Sequence, residues 1–415
     1  MSKGILPKHF IRVAASNELN YAESALEHAE ALMISQSFTV NNRMAVQRGV
    51  EKYKKPFLID PETYRYFLAF KHHYKGTKKN RKIRSWLSKM SVHFPEEIKN
   101  NFGKKAAKVE NFDALQMLEF CQSNIELQTS LEHKDGSPLL PIGIVAPYLR
   151  ISAEKINSNL LFQTQVISTT SKINKSDLPV IGVFYISRDI LSRENLLKQV
   201  TQSIRELDCE SIAVWVDNFN EVDATEEELT NLRTFYSNIS ADKHILSMYG
   251  GVAQIMMMYN GLDSITHGVH YQMHKDGLAN GGTPAYYFYV PNFRQRIRTI
   301  EASAIIRRQN FLREEYLKKC CDCPSCQENI SMQPAERIFS LEGNESYIVK
   351  TLTGHFAYNK KLEINNVLDL SKEDYSAWIM QKLRDFSITR DEFEYSDKIK
   401  SWLSIILDVE IYENN

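Results

Sequence analysis

Four of the chain's six cysteines fall within Lys319-Cys320-Cys321-Asp322-Cys323-Pro324-Ser325-Cys326. Cys321, Cys323 and Cys326 form a C-x-C-x2-C pattern, and the next histidine downstream is His355. Three thiolates and one imidazole make the closed tetrahedral set that zinc takes when its role is structural. Pro324-Ser325 supplies a tight turn between two of the ligands. Cys320 could stand in for Cys321. A metal-free cysteine cluster or disulfides are the alternative, and thiols this dense in a reducing compartment point to a metal.

A second chemistry lies in acids that follow apolar runs. Asp60 ends Pro56-Phe57-Leu58-Ile59-Asp60, and Asp217 ends Ser211-Ile212-Ala213-Val214-Trp215-Val216-Asp217. A carboxylate at the C-terminal end of a parallel strand is placed for nucleophilic or acid–base work. Trp215 and Phe219 flank Asp217 and could sandwich a planar base. Asp60 also precedes Pro61, so it could equally cap a helix, and Asp189 reads more simply as a cap. His267 and His270 could shuttle protons, or pack as ordinary histidines.

The cations form two groups. Residues 71–89 carry Lys78, Lys79, Arg81, Lys82 and Arg84 among further lysines, with no acid and with His72, His73, Tyr74 and Trp86 interleaved. Such density suits phosphates, and the aromatics suit unpaired bases. A solvated loop is the alternative. Arg294, Arg296 and Arg298, followed by Arg307, Arg308 and Arg313, are predicted to lie along a helix leading to the cysteines.

These residues need a scaffold, and the pattern predicts a (β/α)8 TIM-like barrel. Strand-like runs occur near 10–15, 56–60, 141–146, 179–186, 211–217, 244–251, 262–265 and 286–290, alternating with helix-like segments such as Leu19–Ile34 and Arg193–Leu207. No G-x-G-x-x-G follows a first strand, so nothing favours a dinucleotide fold. The expected organisation is a barrel over 1–312 with a basic insertion at about 71–108, a zinc-binding subdomain over 313–360, and a helical tail over 361–415. Trp378, Ile379, Leu383, Trp402, Ile405 and Ile406 make the tail amphipathic, as a docking surface or a cap on the barrel.

With 43% apolar and 25% charged residues and a formal net charge of zero, the composition is that of an ordinary globular protein. Any nucleic-acid site must come from local charge. No signal-peptide core and no membrane-length apolar run is present, and cysteine usage fits a cytoplasmic protein.

The cysteine motif followed at a distance by His355 resembles the zinc site of tRNA-guanine transglycosylases. Upstream, Tyr249-Gly250-Gly251, a helix and then Gly261-Leu262-Asp263-Ser264-Ile265-Thr266 is similar to that family's glycine turn, helix and G-x-D-x-F-D segment. Tyr271-Gln272-Met273-His274-Lys275-Asp276-Gly277 resembles the archaeal branch's stretch ending in Arg-Asp-Gly. The motifs cover about residues 240–360. The resemblance implies a late zinc subdomain on a (β/α)8 barrel, exchange of guanine for a 7-deazaguanine base in tRNA or DNA, structural Zn2+, and a homo- or hetero-oligomer. It makes Tyr249, Gly250, Gly251 and His267 substrate-binding candidates.

One departure stands out. Thr266 occupies the position of the family's nucleophilic aspartate, and the family's early Asp-Ser-Gly-Gly-Phe-Gln motif is missing. A threonine can neither attack the sugar as a carboxylate does nor move the purine's proton. Either Asp60 and Asp217 have taken over as catalytic acids, or the barrel is an inactive, nucleic-acid-binding subunit.

Overall fold

Eight parallel strands alternate with helices and close into a nearly complete barrel. They are β1 (His9–Val13), β2 (Ala31–Ser35), β3 (Phe57–Asp60), β4 (Ile144–Val145), β6 (Val180–Ser187), β7 (Ser211–Asp217), β8 (His244–Ser247) and β9 (Ser264–Gly268), with β5 (Arg150–Ile151) a short extra pairing on the end of β6. The order around the sheet is β3-β2-β1-β9-β8-β7-β6-β4. The Ile142 N–H donates to the Phe57 carbonyl at 2.9 Å and draws the two edges together ahead of β4. The computed structural model describes residues 6–67, 107–268, 287–329, 345–389 and 392–410.

Strand alternation sorts the side chains into two layers. Phe10, Met33, Leu58, Val145, Ile181, Val183, Ala213, Trp215 and Leu246 pack together as the barrel interior. Ile11, Val13, Leu32, Ile34 and Ile59 point outward against the surrounding helices. Strands buried on both faces read as continuous apolar runs, which is why these segments are legible in the sequence.

Three expectations change here. The predicted helix Leu19–Ile34 is a helix only over Ser16–Leu26, and Ala31–Ser35 is β2, buried at all five positions. Ala29 and Met33 fall in helical phase with Leu19, but a strand buried on both sides has no period of its own to contradict that phase. The run near 286–290 is no barrel strand: β10 (Tyr287–Val290) forms an antiparallel hairpin with β11 (Gln295–Arg298). Arg294, Arg296 and Arg298 therefore lie on this hairpin, and the helix begins only at Thr299, running to Arg308. The period-two signal is there in hindsight, since Gln295 and Ile297 are buried while Arg298 is exposed.

Beyond the hairpin come helices Arg313–Lys319, Pro324–Asn329 and Glu345–Asp369, the last crossing the expected boundary at residue 360. The tail helices Lys372–Arg384 and Phe393–Trp402, with a π turn over Leu403–Leu407, fold back onto the barrel's helices. Arg233 donates to the Ile405 carbonyl at 2.7 Å and Asn260 to the Ile406 carbonyl at 3.0 Å. The tail is a cap. No helix among the described residues is long and apolar enough to cross a membrane.

Candidate functional site

The sulfurs of Cys321, Cys323 and Cys326 and a ring nitrogen of His355 lie within 4.8 Å of one another, all buried. His355 Nδ1 stands 3.5, 3.3 and 3.4 Å from the three sulfurs in that order. Tetrahedral bonding at the usual zinc–sulfur and zinc–nitrogen lengths separates such donors by roughly 3.5 Å, so the group could hold a metal ion as it stands. Its supports are the ones a metal site needs. His355 Nε2 donates to the Tyr289 carbonyl at 2.7 Å, which turns the lone pair of Nδ1 toward the sulfurs. The Cys326 N–H donates to Cys323 Sγ at 3.3 Å, and the Asn359 amide donates to Cys321 Sγ at 3.3 Å. Cys320 is buried but lies outside the group, so Cys321 is the third thiol.

Helix 345–369 carries His355 and is fastened to the β10–β11 hairpin by buried charge. Lys360 donates to Glu363 at 3.0 Å and to the Tyr289 hydroxyl at 3.2 Å, while Glu363 also accepts from Tyr289 and faces Arg294. Arg294 is 3% exposed, lies over the Trp378 ring and donates to the Pro291 carbonyl. It is a structural cation, with no surface to offer a phosphate. Arg296 lies half-buried over Tyr287, and Arg298 alone of the three is exposed. Lys78, Lys79, Arg81, Lys82 and Arg84 lie outside the described residues.

At the barrel's C-terminal end, Asp60 and Asp217 sit at the tips of β3 and β7, as the strand pattern predicts. Their surroundings repeat one arrangement. Asp60 accepts from Arg12 at 2.7 Å and from the Tyr148 hydroxyl at 2.7 Å. Asp217 accepts from Arg150 Nε at 2.6 Å and from the Tyr185 hydroxyl at 2.7 Å. Burial, and then the facing carboxylate, push both phenols above their ordinary range, so each stays a proton donor.

Both acids are buried, Asp217 at 4% exposure, and they differ in what they border. Asp60 is fully buried, and Arg12, itself 3% exposed, bridges it to Glu62 at 3.0 Å. Glu62 has a left-handed backbone, φ 48°, a conformation uncommon outside glycine, held by its bonds to Arg12, Arg65 and Ser35. Asp217 instead lines a cleft of about 360 Å³ with Arg150, Glu154, Ser187, Arg188, Asp189 and Asn218. Asp60 is not part of that cleft.

The aromatic candidates are already engaged. Trp215 stacks on Tyr185 with centroids 3.8 Å apart and planes at 11°, and Tyr64, Tyr148 and Tyr249 complete a cluster inside the barrel. Trp215 is thus part of the floor beneath Asp217. Phe219 is buried under the Arg188 guanidinium. Tyr249 lies beside Arg12, whose guanidinium is 5.7 Å from its ring centroid.

Gly251 leaves room for a carboxylate: a Cβ there would come within 2.1 Å of Glu221 Oε1. Glu221 accepts from the Val252 and Ala253 N–H groups at 2.7 and 3.0 Å, so it ties the loop after Asp217 to the Tyr249-Gly250-Gly251 turn. A Cβ on Gly250 would meet Gln254 at 2.7 Å. Both glycines serve close packing here.

Thr266 pairs in register with Phe10 and faces the interior, whereas His267 pairs with Ile11 and faces outward. His267 therefore packs between β1 and helix 345–369, 2.6 Å from His9 through their Nε2 atoms and edge-on to Phe356. It does not reach the cleft that Asp217 lines. Burial, and then His9, lower its pKa well below the ordinary histidine value.

Sequence reasoning missed Arg12, Glu62, Tyr148, Arg150, Tyr185 and Glu221. For Arg12 and Arg150 a signal exists: each is a lone cation in an apolar run, Phe10-Ile11-Arg12-Val13 and Tyr148-Leu149-Arg150-Ile151, where an unpaired charge would be costly. The partners carry none, since they come from distant strands. No protein-family model matches this chain, and no curated protein does.

Proposed function

We propose that this protein exchanges a guanine for a 7-deazaguanine base in nucleic acid, at the C-terminal mouth of the barrel. The observation that carries the reading is Asp217, a strand-end carboxylate opening onto a cleft and oriented from two sides by Arg150 and Tyr185. In this reading Asp217 attacks C1′ of the nucleotide, and the C1′–N9 bond breaks with its electron pair leaving on guanine, which takes up a proton from water. The incoming base gives up its proton to water, attacks C1′ in turn and releases the carboxylate. Asp60, enclosed by Arg12 and Tyr148, positions the mouth from the opposite strand. Cys321, Cys323, Cys326 and His355 would hold a zinc ion with no open position, so it would join the cysteine segment to helix 345–369 and serve structure, not catalysis. Thiol ligands of this kind suit the reducing cytoplasm.

A second reading is favoured by Thr266 and by Asp60's complete enclosure: a non-catalytic, nucleic-acid-binding subunit that works with an active companion. Labelled guanine, offered with purified protein and either tRNA or double-stranded DNA, separates the two. Label should enter one polymer, and Asp217→Ala should abolish its entry with circular dichroism and metal content unchanged. No label in either polymer, from folded and metal-loaded protein, would transfer the assignment to the second reading.

A further inference from the structure

Arg150 binds Asp217 through Nε alone, and its two terminal nitrogens donate to no protein atom among the described residues. The side chain is 31% exposed in the wall of the cleft, so the free edge of the guanidinium fork is open to a ligand. Beside it, in register with Asp217, Ser187 presents a hydroxyl that is buried and lacks any hydrogen-bond partner. A buried hydroxyl without a partner is costly, and a ligand atom in the cleft would satisfy it. The second guanidinium of the cleft is different, because Arg188 is spent on Glu228 and Asp223. The other guanidinium at the mouth has no open edge, since Arg12 is buried between Asp60 and Glu62.

The charge of the cleft decides what the fork takes. Glu154, Asp189 and Asp217 place three carboxylates against two guanidiniums, which disfavours a phosphate and admits a neutral ligand with acceptors. Two adjacent acceptors matching a guanidinium fork are O6 and N7 of guanine, whereas adenine puts a donor beside N7. A volume of about 360 Å³ lies within the range of small-ligand sites.

We infer that Arg150, with Ser187 beside it, is the guanine-selecting subsite, reading O6 and N7 of the base while its Nε holds Asp217. This deepens the proposed exchange and rests on the same cleft. A 7-deaza base keeps O6 and loses N7, so it forms one bond to the fork where guanine forms two. The outgoing guanine is thereby read more strongly than the base that replaces it.

Equilibrium dialysis of the full-length protein with free guanine, adenine and 7-deazaguanine tests this without nucleic acid or turnover. Guanine should bind at least about tenfold more tightly than adenine or 7-deazaguanine, the step expected from losing one charge-assisted hydrogen bond. Arg150→Lys keeps a cation beside Asp217 and loses the fork, so it should flatten both preferences. Ser187→Ala should weaken guanine several-fold while leaving the preference over 7-deazaguanine. Equal affinity for guanine and 7-deazaguanine, a preference that survives Arg150→Lys, no guanine binding at all, or displacement of guanine by inorganic phosphate would each overturn the subsite. Guanine selection lost in Arg150→Lys, with no label entering either polymer, would sink the exchange reading and leave the subsite standing.

Discussion

Arg12–Asp60–Tyr148 and Arg150–Asp217–Tyr185 are the same three residue types, but Arg12 reaches its acid through a terminal nitrogen and Arg150 through Nε, and the exposure of the guanidinium separates their uses. Around Asp60 the guanidinium is enclosed and shared with Glu62, so removing it would strand two carboxylates away from water. Around Asp217 the guanidinium keeps a solvent-facing edge. A buried ion pair is weak evidence of stability gained and strong evidence of a position that cannot change alone. The histidine pair behind β1 belongs to the same scale. Burial above all holds His9 down at about 3, against an ordinary value of 6.5, and His267 is lowered as well. Above about pH 6.5 these histidines are neutral in both folded and unfolded chains and cost nothing. As pH falls below that, the unfolded chain binds protons that the folded one excludes, so stability drops by up to about 1.4 kcal/mol per pH unit for each histidine. Urea midpoints measured from pH 7 to pH 4 should decline, and His9→Gln, which keeps a donor and an acceptor without titrating, should decline less steeply. An unchanged slope would show that other groups carry the acid sensitivity.

Helix 345–369 acts as an element, not as a carrier of one ligand. It supplies His355 to the cysteines, Asn359 to Cys321, Phe356 to the outer face of β9, and the Lys360–Glu363 pair to Tyr289. A metal held by the three thiols and His355 would lock this long helix to the cysteine segment at one end of a buried polar network. Removing the metal or one of its thiols should release that lock. Cys323→Ser is expected to lose stoichiometric zinc and more than about 4 kcal/mol of stability, as losses of a structural metal do. Cys320→Ser, one residue from the group but outside it, should retain full zinc content. Metal analysis with thermal unfolding reads both, and zinc lost from the Cys320 variant would reassign the ligand set.

Over the whole molecule, the tail completes the helical layer of the barrel. Tyr375, Ile379, Ile399, Trp402, Leu403 and Ile406 are buried there, and Arg233, Tyr259 and Asn260 reach across to tail carbonyls. A docking helix would leave that apolar stripe in solvent. Trp402→Ala should cost about 3–5 kcal/mol, the usual loss for emptying so large a buried side chain. Denaturant unfolding should register it without any partner protein present. A loss below about 1 kcal/mol would mean that the stripe is not part of the fold's core.

Local sequence was enough for features set within a few residues or by one repeating pattern. The cysteine cluster, the apolar runs of β3, β6 and β7, and acids at the ends of β3 and β7 could all be read directly, because spacing and strand burial leave their mark in adjacent positions. It was not enough for β2, where a doubly buried strand happens to continue a helical phase, nor for the hairpin at Arg294–Arg298, where period two was hidden among arginines. Least of all could it supply partnership. Arg12 with Asp60, Arg150 with Asp217, Tyr185 stacked on Trp215 and Glu221 at Gly251 join residues from separate strands and loops. Only the tertiary structure decided which acid is enclosed and which opens on a cleft, since access and pairing depend on barrel closure and register between strands. The sequence by itself determined the donor types of the candidate metal site and the barrel pattern; closure determined which charges meet.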